Sequence, residues 1–326
     1  MFKIEKIVII SSLRMLLIFL LLNKTKLDNI YFVFENVIIK SKNIKKMNVY
    51  SEKNILKRFF KYFLYYFKLI RILPIFQKKD KIEIYGADHV TIADFFLKKY
   101  NFYLLEDGIV NYSKIAYKRS LKNKIFSVPK YGRYKSVKKI YLTGLAPIPE
   151  EIKNKVEIID LKKLWKLKIE EEQQKILEIF GFNNNLIKEL KEKNIILFTQ
   201  PLSEDGILNE QEKVELYSKI ILKYPKEKLI IKTHPREKTN YSKIFNEICI
   251  LEQNFPAEIF NLLDISFKKG VTLFSTAVLT NNCKEIDFYG TEVHPKLLKK
   301  FGSMDYIMKR NKFLEENSYG KTNFNR

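Results

Sequence analysis

Apolar and polar positions alternate in short blocks along the chain. Ile7-Val8-Ile9-Ile10 is an apolar run, Leu13 to Leu22 is a longer one, and Ile30-Tyr31-Phe32-Val33-Phe34 is again short. Short runs suit buried strands and the longer run suits a buried helix, so the chain is expected to open as β-α-β. Taken together, Ile7 to Leu22 resembles a signal anchor. Arg14 and the pair Ser11-Ser12 interrupt it, and each half is too short to cross a bilayer.

The same grammar continues. Glu52 to Phe76 reads as a helix crowded with aromatics and cations, Ile82 to Tyr85 as a strand, Val90 to Lys99 as a helix, and Phe102 to Leu105 as a strand. Lys139 to Leu142 reads as a further strand, closed by Gly144, Pro147 and Pro149. Leu161 to Phe180 reads as one charged helix, and the domain junction is placed near Leu161. Beyond it come a strand at Ile195 to Phe198, a helix at Gln211 to Lys223 and a strand at Leu229 to Ile231. A helix at Ala257 to Leu263, a strand at Asp264 to Phe267 and a helix beginning at Ser275 follow. Strand–helix–strand in quick succession implies parallel sheets. The expected fold is therefore α/β, with two Rossmann-like domains over residues 1–160 and 161–326.

The chain has 326 residues, 46% of them hydrophobic, enough for two cores. Its 60 lysines and arginines against 37 acids give a formal charge of +23, which favours an anionic partner. The charge is spread along the chain and no recognition module accompanies it, which argues against nucleic acid. The segment 53–79, with Lys57-Arg58-Phe59-Phe60-Lys61-Tyr62-Phe63 followed by Lys68 and Arg71, suits peripheral contact with an anionic membrane surface. Cys249 and Cys283 are the only cysteines, too few and too far apart for a structural zinc site. Both are expected to be buried, in a reducing, cytoplasmic compartment.

Ligands of open parallel sheets sit beyond the carboxyl ends of strands. That rule selects Glu106-Asp107-Gly108, Thr199 to Asp205, and Lys232 to Arg236. His234 follows an apolar strand, and Lys232 and Arg236 flank it with charge that attracts phosphate and lowers the imidazole pKa by repulsion. A bound phosphate reverses that shift and makes His234 an acid or hydrogen-bond donor to a leaving oxygen. Asp107, with Glu106 before it and Gly108 after it, places a carboxylate in a tight turn. Ser203-Glu204-Asp205-Gly206 is a second such turn. Ser275 and Thr276 precede a helix, where hydroxyls and free N–H groups suit an anion. His294 reads as structural and His89 as a helix-capping residue beside Asp88. Asp-x-Asp, Walker, Gly-x-Ser-x-Gly and His-Glu-x-x-His patterns are absent, which points to nucleotide handling by cations and backbone, without an obligatory metal or cofactor.

With these residues in hand, the chain resembles glycosyltransferase family 52, the bacterial lipooligosaccharide sialyltransferase family. Three motifs carry the resemblance in order: Ile84 to Tyr112 with its Glu106-Asp107-Gly108 turn, Thr199-Gln200-Pro201 through His234-Pro235-Arg236, and Phe274-Ser275-Thr276-Ala277. The resemblance implies a GT-B type fold with its active site in the interdomain cleft. It implies an inverting, metal-independent transfer of sialic acid from CMP-sialic acid to a galactose-type acceptor of a surface glycolipid or capsule glycan. In that reading His234 is the general acid or phosphate partner. Lys232, Pro235, Arg236, Ser275, Thr276 and Gly108 bind the donor. The base is Asp205 by the family pattern, or Asp107 by the pattern of related families, with Glu204 a further alternative. Some members resemble lipopolysaccharide glucosyltransferases, which keeps a UDP-sugar donor open, and the resemblance allows a homodimer. A non-catalytic, basic membrane-associated protein is the competing class.

Overall fold

The computed structural model describes residues 4–39, 44–50, 54–72, 82–90, 92–112, 129–251, 254–275, 277–280 and 283–304. By its internal contacts the chain divides into two units. Residues up to Gly181, with 254–256, form the first, and Phe182 onward forms the second.

The first unit is built on a seven-stranded, wholly parallel sheet. Its strands are β1 (Lys6–Ile10), β2 (Ile30–Glu35), β3 (Lys45–Val49), β4 (Glu83–Gly86), β5 (Phe102–Leu105), β6 (Val137–Leu142) and β7 (Val156–Ile158). Their order across the sheet is β3-β2-β1-β4-β5-β6-β7. The opening β-α-β forms as its pattern requires. Ser12 caps α1 (Leu13–Leu22) by accepting from the Met15 N–H, and Met15 to Leu21 are all buried. A helix apolar all round belongs in a core, which explains the anchor-like run without a membrane. Among the described residues no helix is long and apolar enough to cross one. Gly86 ends β4 against β1: a Cβ there would lie 1.9 Å from the Ile9 carbonyl oxygen. Only glycine permits that approach. Two further helices are α2 (Ile55–Ile72) and α3 (Ala93–Leu97).

Leu161 to Phe180 is not one helix. It breaks into α4 (Leu161–Lys166), capped by Asp160, and α5 (Glu170–Ile179), whose N-terminal turn carries three glutamates. Both belong to the first unit, so the chain divides after Gly181 rather than at residue 160. The reason is local: the Lys168 amine donates to the Asn23 carbonyl at the end of α1 (2.5 Å), and Ile176, Leu177 and Ile179 are buried.

The second unit carries a five-stranded parallel sheet. Its strands are β8 (Ile195–Phe198), β9 (Leu229–Lys232), β10 (Cys249–Leu251), β11 (Phe267–Thr272) and β12 (Cys283–Phe288), in the order β10-β9-β8-β11-β12. β8 and β9 are buried throughout, matching the apolar runs Ile195 to Phe198 and Leu229 to Ile231, with Lys232 buried at the end of β9. Helices α6 (Asn184–Glu192), α7 (Glu210–Ile221), α8 (Tyr241–Ile244), α9 (Glu258–Leu262), α10 (Ala277–Thr280) and α11 (Pro295–Phe301) complete it. The strand expected at Asp264 to Phe267 begins only at Phe267. Asp264, at φ +53°, is the turn before it. Cys249 and Cys283 are half-buried rather than buried, and burial raises both thiols, to about 12 and about 11. Both sheets have the doubly wound strand order, which reverses beside β1 and β4 in the first unit and beside β8 and β11 in the second.

Candidate functional site

In the first unit, the loops after β1, β4 and β5 converge on Asp107. The Ser11 hydroxyl donates to Asp107 Oδ2 at 2.8 Å, His89 Nε2 lies 3.3 Å from the same oxygen, and Ser12 is also hydrogen-bonded to the carboxylate. Burial pushes the Asp107 pKa up, but the hydrogen bonds from His89, Ser12 and Ser11 outweigh it and hold the carboxyl below the ordinary aspartate value. The turn is fixed by the Asp107 N–H donating to Asn111 Oδ1 (2.5 Å) and by Gly108 at φ +81°. His89 is therefore no helix cap; α3 starts after Ile92, and the imidazole belongs to the Asp107 site. Its Nδ1 is buried without a partner, so in the neutral ring the proton resides on Nε2 and points at Asp107. Tyr131, a non-glycine residue at φ +54°, stacks on His89 with ring centroids 5.7 Å apart.

Glu106, beside Asp107, does something different. Fully buried, it accepts from Arg14 Nε (3.0 Å) and Nη2 (2.5 Å), Tyr112 OH (2.7 Å), and the Thr143 N–H (2.6 Å) and hydroxyl (2.8 Å). Every lone pair is spoken for, which makes it a scaffold for the turn.

In the second unit, His234 lies just past β9. Pro235 makes the turn, in which the Glu237 N–H donates to the His234 carbonyl at 2.9 Å. The Arg236 N–H donates to His234 Nδ1 at 3.2 Å. With Nδ1 accepting, the neutral imidazole carries its proton on Nε2 and presents a donor. Burial lowers the His234 pKa, Arg236 and Lys232 lower it further, and Asp205 and Glu204 oppose. The expected direction holds, with burial ahead of charge repulsion. Lys232 is nearly buried; burial brings its pKa down to about 8, opposed by Glu237, and its amine donates to the Thr233 carbonyl at 3.0 Å.

Two acids expected as possible bases separate here. Glu204 contacts the fully buried Lys213 amine at 3.0 Å and accepts from the Lys238 N–H at 2.5 Å. Burial raises its pKa, but these contacts outweigh it and hold the carboxyl below the ordinary value. These contacts hold the Glu204 carboxylate in place. Asp205 instead receives Arg236 in a two-pronged pair, Nη1 to Oδ1 at 2.5 Å and Nη2 to Oδ2 at 3.1 Å. Beneath both lies Glu237, missed in the sequence. It accepts from the His234 N–H (2.7 Å), the Thr199 hydroxyl and the Tyr241 hydroxyl (2.9 Å). It ties the loops after β8 and β9 together.

Ser275 follows β11. Its hydroxyl accepts from the Ala277 N–H at 3.3 Å and its N–H donates to Thr272, so it caps the short α10. Thr276 lies outside the described residues, as do the ends of the segment 53–79. His294 caps α11, its Nδ1 accepting from the Lys296 N–H, the structural role expected of it. Among the described residues no group of histidine, cysteine and acid side chains could hold a metal ion.

Residues 15–297 match glycosyltransferase family 52. An uncharacterized protein of Haemophilus influenzae is 45% identical over 306 residues, 91% of this chain and 98% of that one. The fold is similar to that of an α/β-galactoside α-2,3-sialyltransferase from Photobacterium phosphoreum. There the TM-score is 0.55 and the identity 14%, over 95% of this chain and 97% of the other. It is also similar to a 2,6-sialyltransferase of Photobacterium sp. JT-ISH-224, with a TM-score of 0.54 and 11% identity over 87% and 71%. A match over most of the chain, on two parallel sheets of the GT-B type, one with Asp107 beyond its strand ends and the other with Asp205 and His234, makes this chain a member of glycosyltransferase family 52 and a glycosyltransferase.

Proposed function

We propose that the chain transfers sialic acid from CMP-sialic acid to a galactose-type acceptor, with inversion and without a metal. The observation that carries this reading is His234: Nδ1 pinned by the Arg236 N–H, Nε2–H left as a donor, with Lys232 and Arg236 beside it. In the reaction the acceptor hydroxyl attacks the anomeric carbon, and the bond from that carbon to the CMP phosphate oxygen breaks with its electron pair on phosphate. His234 donates to the departing oxygen, and the two cations offset its charge. Asp205 takes the hydroxyl proton. Asp107, held ionised, accepts hydrogen bonds from acceptor hydroxyls and orients them. Ser275 and Thr276 contact the donor's carboxylate or phosphate, and Gly108 leaves room at the turn.

The Photobacterium 2,6-sialyltransferase was solved with CMP and lactose, the same pairing of nucleotide and galactoside. CMP release from CMP-sialic acid with a lactoside acceptor, in excess chelator, is the test. Turnover is the expected result. Turnover with UDP-glucose and none with CMP-sialic acid would replace this donor with that of the lipopolysaccharide glucosyltransferases.

The acceptor in this reading is lipid-linked and reached at the inner face of the cytoplasmic membrane, by a chain able to act as a homodimer. Phe60, Phe63, Leu64 and Phe67 are exposed along α2 at i, i+3, i+4 and i+7, with Lys57, Lys68 and Arg71 also exposed. An apolar ridge among cations suits an anionic lipid surface. Liposome sedimentation at two salt concentrations checks it; indifference to anionic lipid would remove the membrane from the reading.

A further inference from the structure

The donor corner contains a cation that is already engaged. Arg236 is 62% exposed and Asp205 35%, and the fork between them satisfies both carboxylate oxygens. The carboxylate hangs from a rigid turn: the Asp205 N–H donates to the Pro201 carbonyl at 2.9 Å and the Gly206 N–H to the Ser203 carbonyl at 3.0 Å. Its neighbour Glu204 is immobilised on Lys213. What can move is therefore the arginine, a long side chain in solvent.

Ion pairs this exposed are worth only about a two- to fivefold factor in an equilibrium constant. A phosphate carries more charge and more acceptor oxygens than a carboxylate, and a guanidinium grips it with the same fork. We propose that the Asp205–Arg236 pair is a latch exchanged on donor binding: the nucleotide phosphate takes the guanidinium, and the released Asp205 becomes free to accept the acceptor's proton. The inference rests on the reading of this corner as a nucleotide-sugar site. It adds an order of events. Before the donor arrives, the base and its neighbouring cation neutralise each other; afterwards both are available. The proton lost by the acceptor hydroxyl goes to Asp205, and the electron pair of the broken bond leaves on phosphate. When CMP departs, Arg236 returns to Asp205. By linkage, whatever removes the claim of Asp205 on Arg236 must tighten phosphate binding by the same factor.

Calorimetric titration of the full chain with CMP tests this through Asp205→Asn, Arg236→Ala and the double variant. Asp205→Asn should tighten CMP about two- to fivefold, and Arg236→Ala should weaken it about tenfold. The double variant should match Arg236→Ala, because Asp205 acts only through the arginine. Asp205→Ala, which removes the side chain, should tighten CMP as Asp205→Asn does. Unchanged or weaker CMP binding in both Asp205 variants overturns the latch. So does a double variant that binds tighter than Arg236→Ala by the full factor, since Asp205 would then act by direct repulsion. If the wild type binds UDP and not CMP, the same cycle with UDP decides the latch while the CMP-sugar reading falls. If it binds neither, both fall.

Discussion

The tripeptide Glu-Asp-Gly occurs once in each unit, at 106–108 and at 204–206, beyond the carboxyl end of a parallel strand each time. Both glycines have positive φ, +81° and +69°. In both turns the glutamate is tied to a cation, Glu106 to Arg14 and Glu204 to the buried Lys213. In both the aspartate faces a group suited to chemistry. The difference lies in that group. Asp107 is held by hydroxyls and an imidazole, which fix its position and keep it ionised. Asp205 is held by an exposed guanidinium, which can leave. One sequence thus yields a carboxylate suited to orienting a ligand and another suited to release.

Substitutions that separate the two turns come in descending order of effect. Of the two histidines, His234→Ala should lower kcat about 10²- to 10³-fold by removing a general acid, whereas His89→Ala should act chiefly on acceptor KM. Steady-state kinetics with both substrates separates them. The glutamates should report on stability. Glu106→Gln and Lys213→Met each strand a charged partner and should cost about 3 kcal/mol, read by urea denaturation. For Lys213→Met, Glu204 is then also loosened, so CMP affinity should change as well.

A smaller effect is the titration of His234. Its pKa lies below the ordinary 6.5 in the donor-free protein, through burial first and the two cations next. CMP should raise it, which a histidine NMR titration with and without nucleotide will show. Smallest is the acid response of Asp107. Its folded pKa is below 3.8, so its contribution to stability is present above that value and is lost as pH falls through the folded pKa. The stability gap between wild type and Asp107→Asn should therefore be constant above about pH 5 and close towards pH 3.

The elements that set the site were legible because they are apolar runs buried on both faces, as in β1, β8 and β9. β3, β7, β10 and β12 were not, because edge strands such as Lys45–Val49 and Cys283–Phe288 carry solvated positions that dilute the pattern. His234 was found by its strand-end position. His89 sits just past β4 and met the same rule, yet proximity to Asp88 made it look like a cap. Lys213 shares the buried face of α7 with Leu216, Tyr217, Ile220 and Ile221. A lysine in register with an apolar stripe is the signal that marks it, and the carboxylates it needs come from other loops. Glu237 carries no such mark: His234 and Tyr241 are near it in the chain, but Thr199, which joins it to the loop after β8, meets it only in the fold.

The division of labour between the aspartates is tested most directly by the rate of CMP release from CMP-sialic acid with saturating lactose, for Asp107→Asn and Asp205→Asn side by side. Asp205→Asn should slow turnover about 10²- to 10⁴-fold while binding donor more tightly, and Asp107→Asn should stay within about tenfold of wild type once acceptor is saturating. The reverse order, with Asp107→Asn inactive and Asp205→Asn near normal, would put the base on the first unit and contradict the roles assigned here.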